Sequence, residues 1–228
     1  MDVRLLGIAI LCSLGLLSFL LIAKLVAGGH YADLEGQILL SLRQPDNPAE
    51  LIGPRWLHKA AVDVTALGGA TVLTLITLLV CTYLAIARRF RTVLFVLAAT
   101  ISGMVISFGL KNVFERARPD AVPHITEVST YSFPSGHSLI PAVVYLTLGT
   151  LLAQATDRHR EKIFFIATAL LLVGIIGVTR VYLGVHYPTD VLAGWSLGIA
   201  WALFCEGVAY LLRRRGTLGR PRKLAAEN

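Results

Sequence analysis

A-L-G-G-A-T-V-L-T-L-I-T-L-L-V-C-T-Y-L-A-I-A, residues 66 to 87, runs for 22 positions without a charged residue. A helix of that length rises roughly 30 Å, the thickness of the hydrocarbon core of a bilayer. The stretch therefore reads as a transmembrane helix, which satisfies its own backbone where no water can. Five more apolar runs follow the same rule: residues 5–27, interrupted by Lys24, then 93–110, 137–155, 163–179 and 191–212. The first is too long for the apolar region of a signal peptide, roughly 7–15 residues. The Ala9-Ile10-Leu11 before Cys12 also lacks the small residue of a lipoprotein cleavage site. It reads as an uncleaved span with Lys24 snorkelling to the interface. Pro141 falls in the first turns of its span, where a proline is tolerated. The expected fold class is all-α integral membrane with six transmembrane helices, in a single domain over residues 1–228 without internal repeats.

Composition agrees. The chain is 55% hydrophobic and 15% charged, with a mean hydropathy of +0.69, whereas soluble domains carry about 25% charged residues. The net charge of +7 would suit nucleic acid only if the basic residues formed one surface. They gather instead in short clusters between apolar runs, so no nucleic-acid partner is expected. If the N-terminus is cytoplasmic, Arg4, Arg88–Arg91, Arg158–Lys162 and the basic tail from Arg213 hold 13 of the 21 Lys and Arg residues on the inner side. The positive-inside rule then predicts both termini in the cytoplasm. Cys12, Cys81 and Cys205 lie within apolar runs and read as small hydrophobes.

Residues 28–63 form the longest polar segment, expected on the outer side. Leu34, Ile38, Leu39 and Leu42 have helical spacing, so the segment is either a solvated loop or carries an interfacial amphipathic helix. Trp56 suits the headgroup zone.

Three groups of ionisable residues fall on that same outer side, although the topology was assigned without them. K-N-V-F-E-R-A-R-P, residues 111–119, places Lys111 at the end of the third span and Arg118 about two helical turns on, if the helix persists. Two such cations can hold a phosphate, or they can simply snorkel. Y-S-F-P-S-G-H-S-L, residues 131–139, begins the fourth span with Ser135, Gly136 and His137. A helix start with a glycine forms an anion cradle, and a histidine beside it can transfer protons; a capping Ser135 would explain the serine without chemistry. T-R-V-Y-L-G-V-H-Y-P-T-D, residues 179–190, supplies Arg180, His186 and Asp190, with Pro188 at the first position of the sixth helix. Asp190 can orient one ring nitrogen of His186 and leave the other as nucleophile, unless the pair is only a cap and a surface histidine. Together these residues suit a phosphoryl group. Neither a paired-carboxylate cluster nor an H-E-x-x-H pattern is present to suggest a metal.

These three motifs resemble the signature of the type 2 phosphatidic acid phosphatase family of membrane lipid phosphatases: Lys-x6-Arg-Pro, Pro-Ser-Gly-His, and Ser-Arg-x5-His-x3-Asp. They occur in order between residues 111 and 190, with Thr179 in place of the usual serine. The resemblance implies a PAP2/haloperoxidase-like helical bundle in a bacterial inner membrane, with the active site on the outer face. It implies that His186 is the nucleophile forming a phosphohistidine, Asp190 its orienting partner and His137 the general acid. Lys111, Arg118, Ser135, Gly136 and Arg180 would hold the phosphate oxygens. No cofactor or metal is implied. The implied substrate is a lipid phosphate such as undecaprenyl pyrophosphate, phosphatidylglycerol phosphate, phosphatidate or a lipid A species. A lipid phosphotransferase is the enzymatic alternative, and an anionic-lipid binding or transport protein the non-enzymatic one.

Elsewhere, His30, His58, His124 and His159 read as surface residues in loops. Glu115 or Arg116 is a candidate headgroup contact. Glu206 reads as a carboxylate paired near the inner interface, about two turns from Arg213. Trp195 and Trp201 read as packing residues, and Gly194 and Gly198 as a close-packing pair.

Overall fold

The computed structural model describes residues 2–29, 31–124 and 130–216. His30, part of the 112–133 loop and the basic tail from residue 217 lie outside the described residues. The helices in chain order are α1 (Val3–Ala27), α2 (Ala32–Ser41), α3 (Arg55–Ala66), α4 (Ala70–Ile86), α5 (Phe90–Phe114), α6 (Gly136–Ala155), α7 (His159–Tyr182) and α8 (Pro188–Arg214). Between α2 and α3 lies an antiparallel hairpin of β1 (Arg43–Gln44) and β2 (Asn47–Leu51), with Arg43 opposite Leu51.

Five helices, α1 and α5 to α8, are each long and apolar enough to cross a membrane. The expected second span, residues 66–87, holds α4, which is long enough to cross only together with α3, from which it is bent by 48° across Leu67–Gly69. The break is held where the Tyr145 hydroxyl donates to the Leu67 carbonyl at 2.8 Å. Residues 28–63 are likewise not a plain loop: they hold α2, the hairpin and most of α3. His58 therefore lies in a helix, and His159 begins one; α3 begins directly after Pro54.

The most buried elements are α6 and α8, and they pack face to face. A Cβ on Gly194 would meet the Ser135 carbonyl at 2.7 Å, and one on Gly198 would meet the Ala142 Cβ at 2.7 Å. The small residues let the two backbones approach, as their spacing suggests. Trp195 fills the space beside Gly177 of α7 and donates to the Val173 carbonyl at 3.0 Å. Trp201 likewise donates to Ser102 of α5 at 3.1 Å. Leu139, Val143, Ala193 and Leu197 join Phe19 and Phe133 in a buried cluster that brings α1 onto this pair.

At the opposite end from the motifs, the carboxylate of Glu206 accepts from Arg213 at 3.1 Å, Arg4 at 2.9 Å and Gln154 at 2.9 Å. Beside it, Arg214 donates to Asp2 at 3.0 Å. A buried carboxylate on a membrane helix is costly unless paired in this way.

Candidate active site

His186 stands in the turn between α7 and α8. Gly184 reverses the chain there at φ +76, and a side chain at that position would run into Arg43 and Val122. Pro188 starts α8 with its ring at the first helical position, which fixes Asp190 in the first turn. Asp190 is fully buried. Its Oδ2 accepts from the Tyr187 amide at 3.0 Å and from the Ser132 hydroxyl, and lies 3.3 Å from His186 Nδ1. Its Oδ1 accepts from Arg116 at 2.6 Å. An acceptor that satisfied assigns the His186 proton to Nδ1 and leaves the lone pair on Nε2. Burial pushes the His186 imidazole down to about 4, with Arg118 and Arg180 adding to the effect and Asp190 pulling the other way. The ring is therefore neutral at neutral pH, as a nucleophile must be.

The three expected phosphate-binding cations converge around this ring. Lys111, in the last turn of α5, donates to the Tyr131 carbonyl. Arg118 is not on that helix. The helix ends at Phe114, and Glu115 turns the chain at φ +44, so the two-turn spacing does not operate. A loop delivers Arg118 instead: it donates to the Thr130 and Val185 carbonyls, each at 2.7 Å, and its Nη1 lies 3.3 Å from His186 Nε2. Arg180 donates to the Thr65 hydroxyl at 3.0 Å, while its buried Nε has no partner among the described residues. None of the three has a carboxylate partner among the described residues.

His137, in the first turn of α6, faces the same space beside Gly69 of the α3–α4 break. Gly136 lies against Lys111, whose Cε is 3.8 Å from where a Cβ would be. Ser135 is placed differently. It occupies the N-cap position, but its side chain makes no capping bond; its hydroxyl accepts from Ser138 at 3.1 Å. Its amide donates to the Asp190 carbonyl at 3.0 Å, tying the start of α6 to the start of α8. The Thr179 hydroxyl donates to the Ile176 carbonyl at 2.6 Å, within its own helix.

Lys111, Arg118, Gly136, His137, Arg180 and His186 form one end of a cavity of about 600 Å³. The rest is apolar and runs between α4 and α5 past Leu73, Thr74, Leu97, Ile101, Met104 and Phe108. A polar end that holds an anion thus continues into a groove that suits hydrocarbon. Among the described residues no group of His, Cys, Asp and Glu is placed to hold a metal ion.

Two groups at the site were not among the expected residues. Ser132, inside the 131–139 stretch, donates to Asp190 Oδ2. Glu35 of α2 is buried and accepts from Arg116 at 2.5 Å and from the Thr189 amide at 3.1 Å. A faint signal was available, because Glu35 precedes the buried Leu39 by one helical turn and so shares its face. Arg116, named with Glu115 as a candidate headgroup contact, is committed to Glu35 and Asp190. Burial lowers its basicity, but the two carboxylates outweigh this and raise it.

The sequence profile of the PAP2 superfamily matches residues 91–214. Phosphatidylglycerophosphatase B of Bacillus subtilis is 32% identical over 169 residues, covering 73% of this chain and 82% of that protein. A lipid A 1-phosphatase of Rhizobium etli is 33% identical over 133 residues, covering 54% of this chain and 50% of the relative. The crystal structure of the transmembrane PAP2 type phosphatidylglycerolphosphate phosphatase of Bacillus subtilis superposes with a TM-score of 0.77 at 27% identity, covering 89% of this chain and 98% of that one. Profile, relatives and bundle agree that the chain belongs to the PAP2 superfamily and is a multi-span membrane phosphatase.

Proposed function

We propose that the protein hydrolyses the terminal phosphate of a lipid phosphomonoester or pyrophosphate through a phosphohistidine on His186. Undecaprenyl pyrophosphate, phosphatidylglycerol phosphate and phosphatidate are the favoured substrates. The observation that carries this reading is the state of Lys111, Arg118 and Arg180: three cations at the head of an apolar groove, bonded to carbonyls and hydroxyls and, among the described residues, to no carboxylate. Clustered cations left uncompensated in a low-dielectric site favour a multiply charged anion. The groove then takes the lipid chains.

In the first step the His186 Nε2 lone pair attacks phosphorus in line as the P–O bond to the lipid breaks. His137 gives its proton to the departing oxygen. In the second, water attacks phosphorus with His137 taking its proton, and the P–N bond breaks to release phosphate and restore both histidines. Asp190 keeps the Nδ1 proton in place throughout, and stabilises the charge that develops on the ring. Arginine forks and the Gly136 amide hold the equatorial oxygens. By the distribution of basic residues, this end of the bundle faces the outside of a bacterial cytoplasmic membrane.

The test is phosphate release by detergent-purified protein from undecaprenyl pyrophosphate, phosphatidylglycerol phosphate, phosphatidate and a lipid A precursor, with and without chelator. Chelator-insensitive turnover is expected. Substituting His186 by Ala should abolish it by about 10⁴-fold or more, together with acid-labile labelling from a radioactive substrate. Unchanged turnover in His186→Ala would refute the mechanism.

A further inference from the structure

Arg116 differs from every other cation at the site. Its Nη1 donates to Asp190 Oδ1 at 2.6 Å and to the Thr189 hydroxyl at 2.8 Å, while its Nη2 donates to Glu35 at 2.5 Å. Its guanidinium lies over the Tyr187 ring at 4.2 Å. It binds the Asp190 oxygen that His186 does not face. A cation there draws charge out of the carboxylate and weakens it as an acceptor for His186 Nδ1–H. Glu35 counters that effect. It is 3% exposed and spends its other oxygen on the Thr189 amide at 3.1 Å and the Thr189 hydroxyl at 2.6 Å, the residue immediately before Asp190. Isolated buried charges are expensive, so this carboxylate is held by what it does for its partners.

We infer that Glu35 is a positioning residue for the reaction: it holds Arg116 on Asp190 and balances its charge, so that Asp190 remains a strong acceptor for His186. The α2 segment is thereby part of the catalytic apparatus without touching substrate. The hairpin that follows reinforces this, because Arg43 donates to the Tyr182 carbonyl at 3.0 Å and Leu51 packs with Leu183 and Val185. The polar segment thus grips both ends of the turn that carries His186.

The inference rests on the proposed role of His186, and is tested by exchanging Glu35 in two backgrounds. Purified Glu35→Gln, Arg116→Gln and the double variant are assayed on whichever lipid phosphate of the panel is turned over fastest, with thermal midpoints measured alongside. Glu35→Gln should lower kcat about 10- to 100-fold, the scale of a slight misplacement of reacting groups, with KM within about twofold, as for an interaction made in the transition state. In the Arg116→Gln background the same exchange should leave kcat unchanged or raise it, because a buried carboxylate without its cation is a liability. An equal loss in both backgrounds, or a raised KM with kcat intact, would overturn the inference. If Glu35→Gln fails to fold, the double variant compared with Arg116→Gln alone decides: equal or greater turnover supports it and a further drop refutes it. Failure of the covalent reading shows separately, as absence of trapped phosphate on His186 in the unaltered chain.

Discussion

Arg118 Nη1 lies 3.3 Å from His186 Nε2, the ring nitrogen turned away from Asp190. In the proposed reaction the cation stands where phosphorus arrives, and the same guanidinium is braced on the Val185 carbonyl next to His186. An incoming phosphate would then replace the histidine lone pair as its acceptor, coupling attack and charge neutralisation through one side chain.

Replacing that fork by a point charge should be costly. Arg118→Lys keeps the charge, but cannot brace Thr130 and Val185 while also binding an oxygen. The expected loss in kcat/KM is about 10²-fold, comparable to deleting one donor of an oxyanion hole. Steady-state kinetics would check it, and a change below about threefold would remove Arg118 from the phosphate site.

His186 titrates near 4 in the fold, against about 6.5 in an unfolded chain. The unfolded state therefore binds the proton more readily, and stability falls as pH drops from about 6.5 through 4. The thermal midpoint of the wild type should decline over that window, and that of His186→Gln should decline less. The rate of phosphoenzyme formation should likewise hold its nucleophile-dependent plateau down to about pH 5.

Backbone proximity between α6 and α8 sets the position of His137. A Cβ at Gly194 would meet the Ser135 carbonyl at 2.7 Å and the Ser138 Cβ at 2.8 Å. Gly194→Val should therefore destabilise the protein by about 1–3 kcal/mol and depress turnover by shifting the start of α6. Gly174→Ala, which meets nothing within 4 Å, is the control, expected to stay within about 0.5 kcal/mol. Thermal melts in detergent compare the two.

The groove between α4 and α5 can be blocked without touching the polar end. Thr74 lines it and is exposed, so Thr74→Trp adds bulk without disturbing the core. KM for a long-chain lipid phosphate should rise about tenfold, or 1.4 kcal/mol, while a short-chain, water-soluble phosphate ester should be turned over as before. Equal effects on both substrates would show that the groove does not take the chains.

The five unbroken spans were legible because long apolar runs have few physical outcomes. The second span was harder: composition from Ala66 onward gives its apolar half, but the bend at Leu67–Gly69 falls on the Gly68-Gly69 pair, which packs against Ile176 and Pro141 of other helices. The convergence of His186, His137, Asp190 and the three cations was legible because each motif sits at a span end. What the chain alone concealed are partners far apart in sequence. Ser132 and Asp190 are 58 positions apart and Glu35 and Thr189 are 154 apart, and no periodicity encodes such pairs. The helical spacing from Lys111 to Arg118 misled for a local reason, since Glu115 leaves the helix at a positive φ.

The ion pair between Asp2 and Arg214 also bears on a matter of arithmetic. Two ends of a chain that touch must lie on the same side of any sheet the chain threads, so the number of crossings has to be even. Five unbroken helices cannot satisfy that parity. A sixth passage is therefore expected from the segment that holds α4, the remaining apolar helix of the bundle.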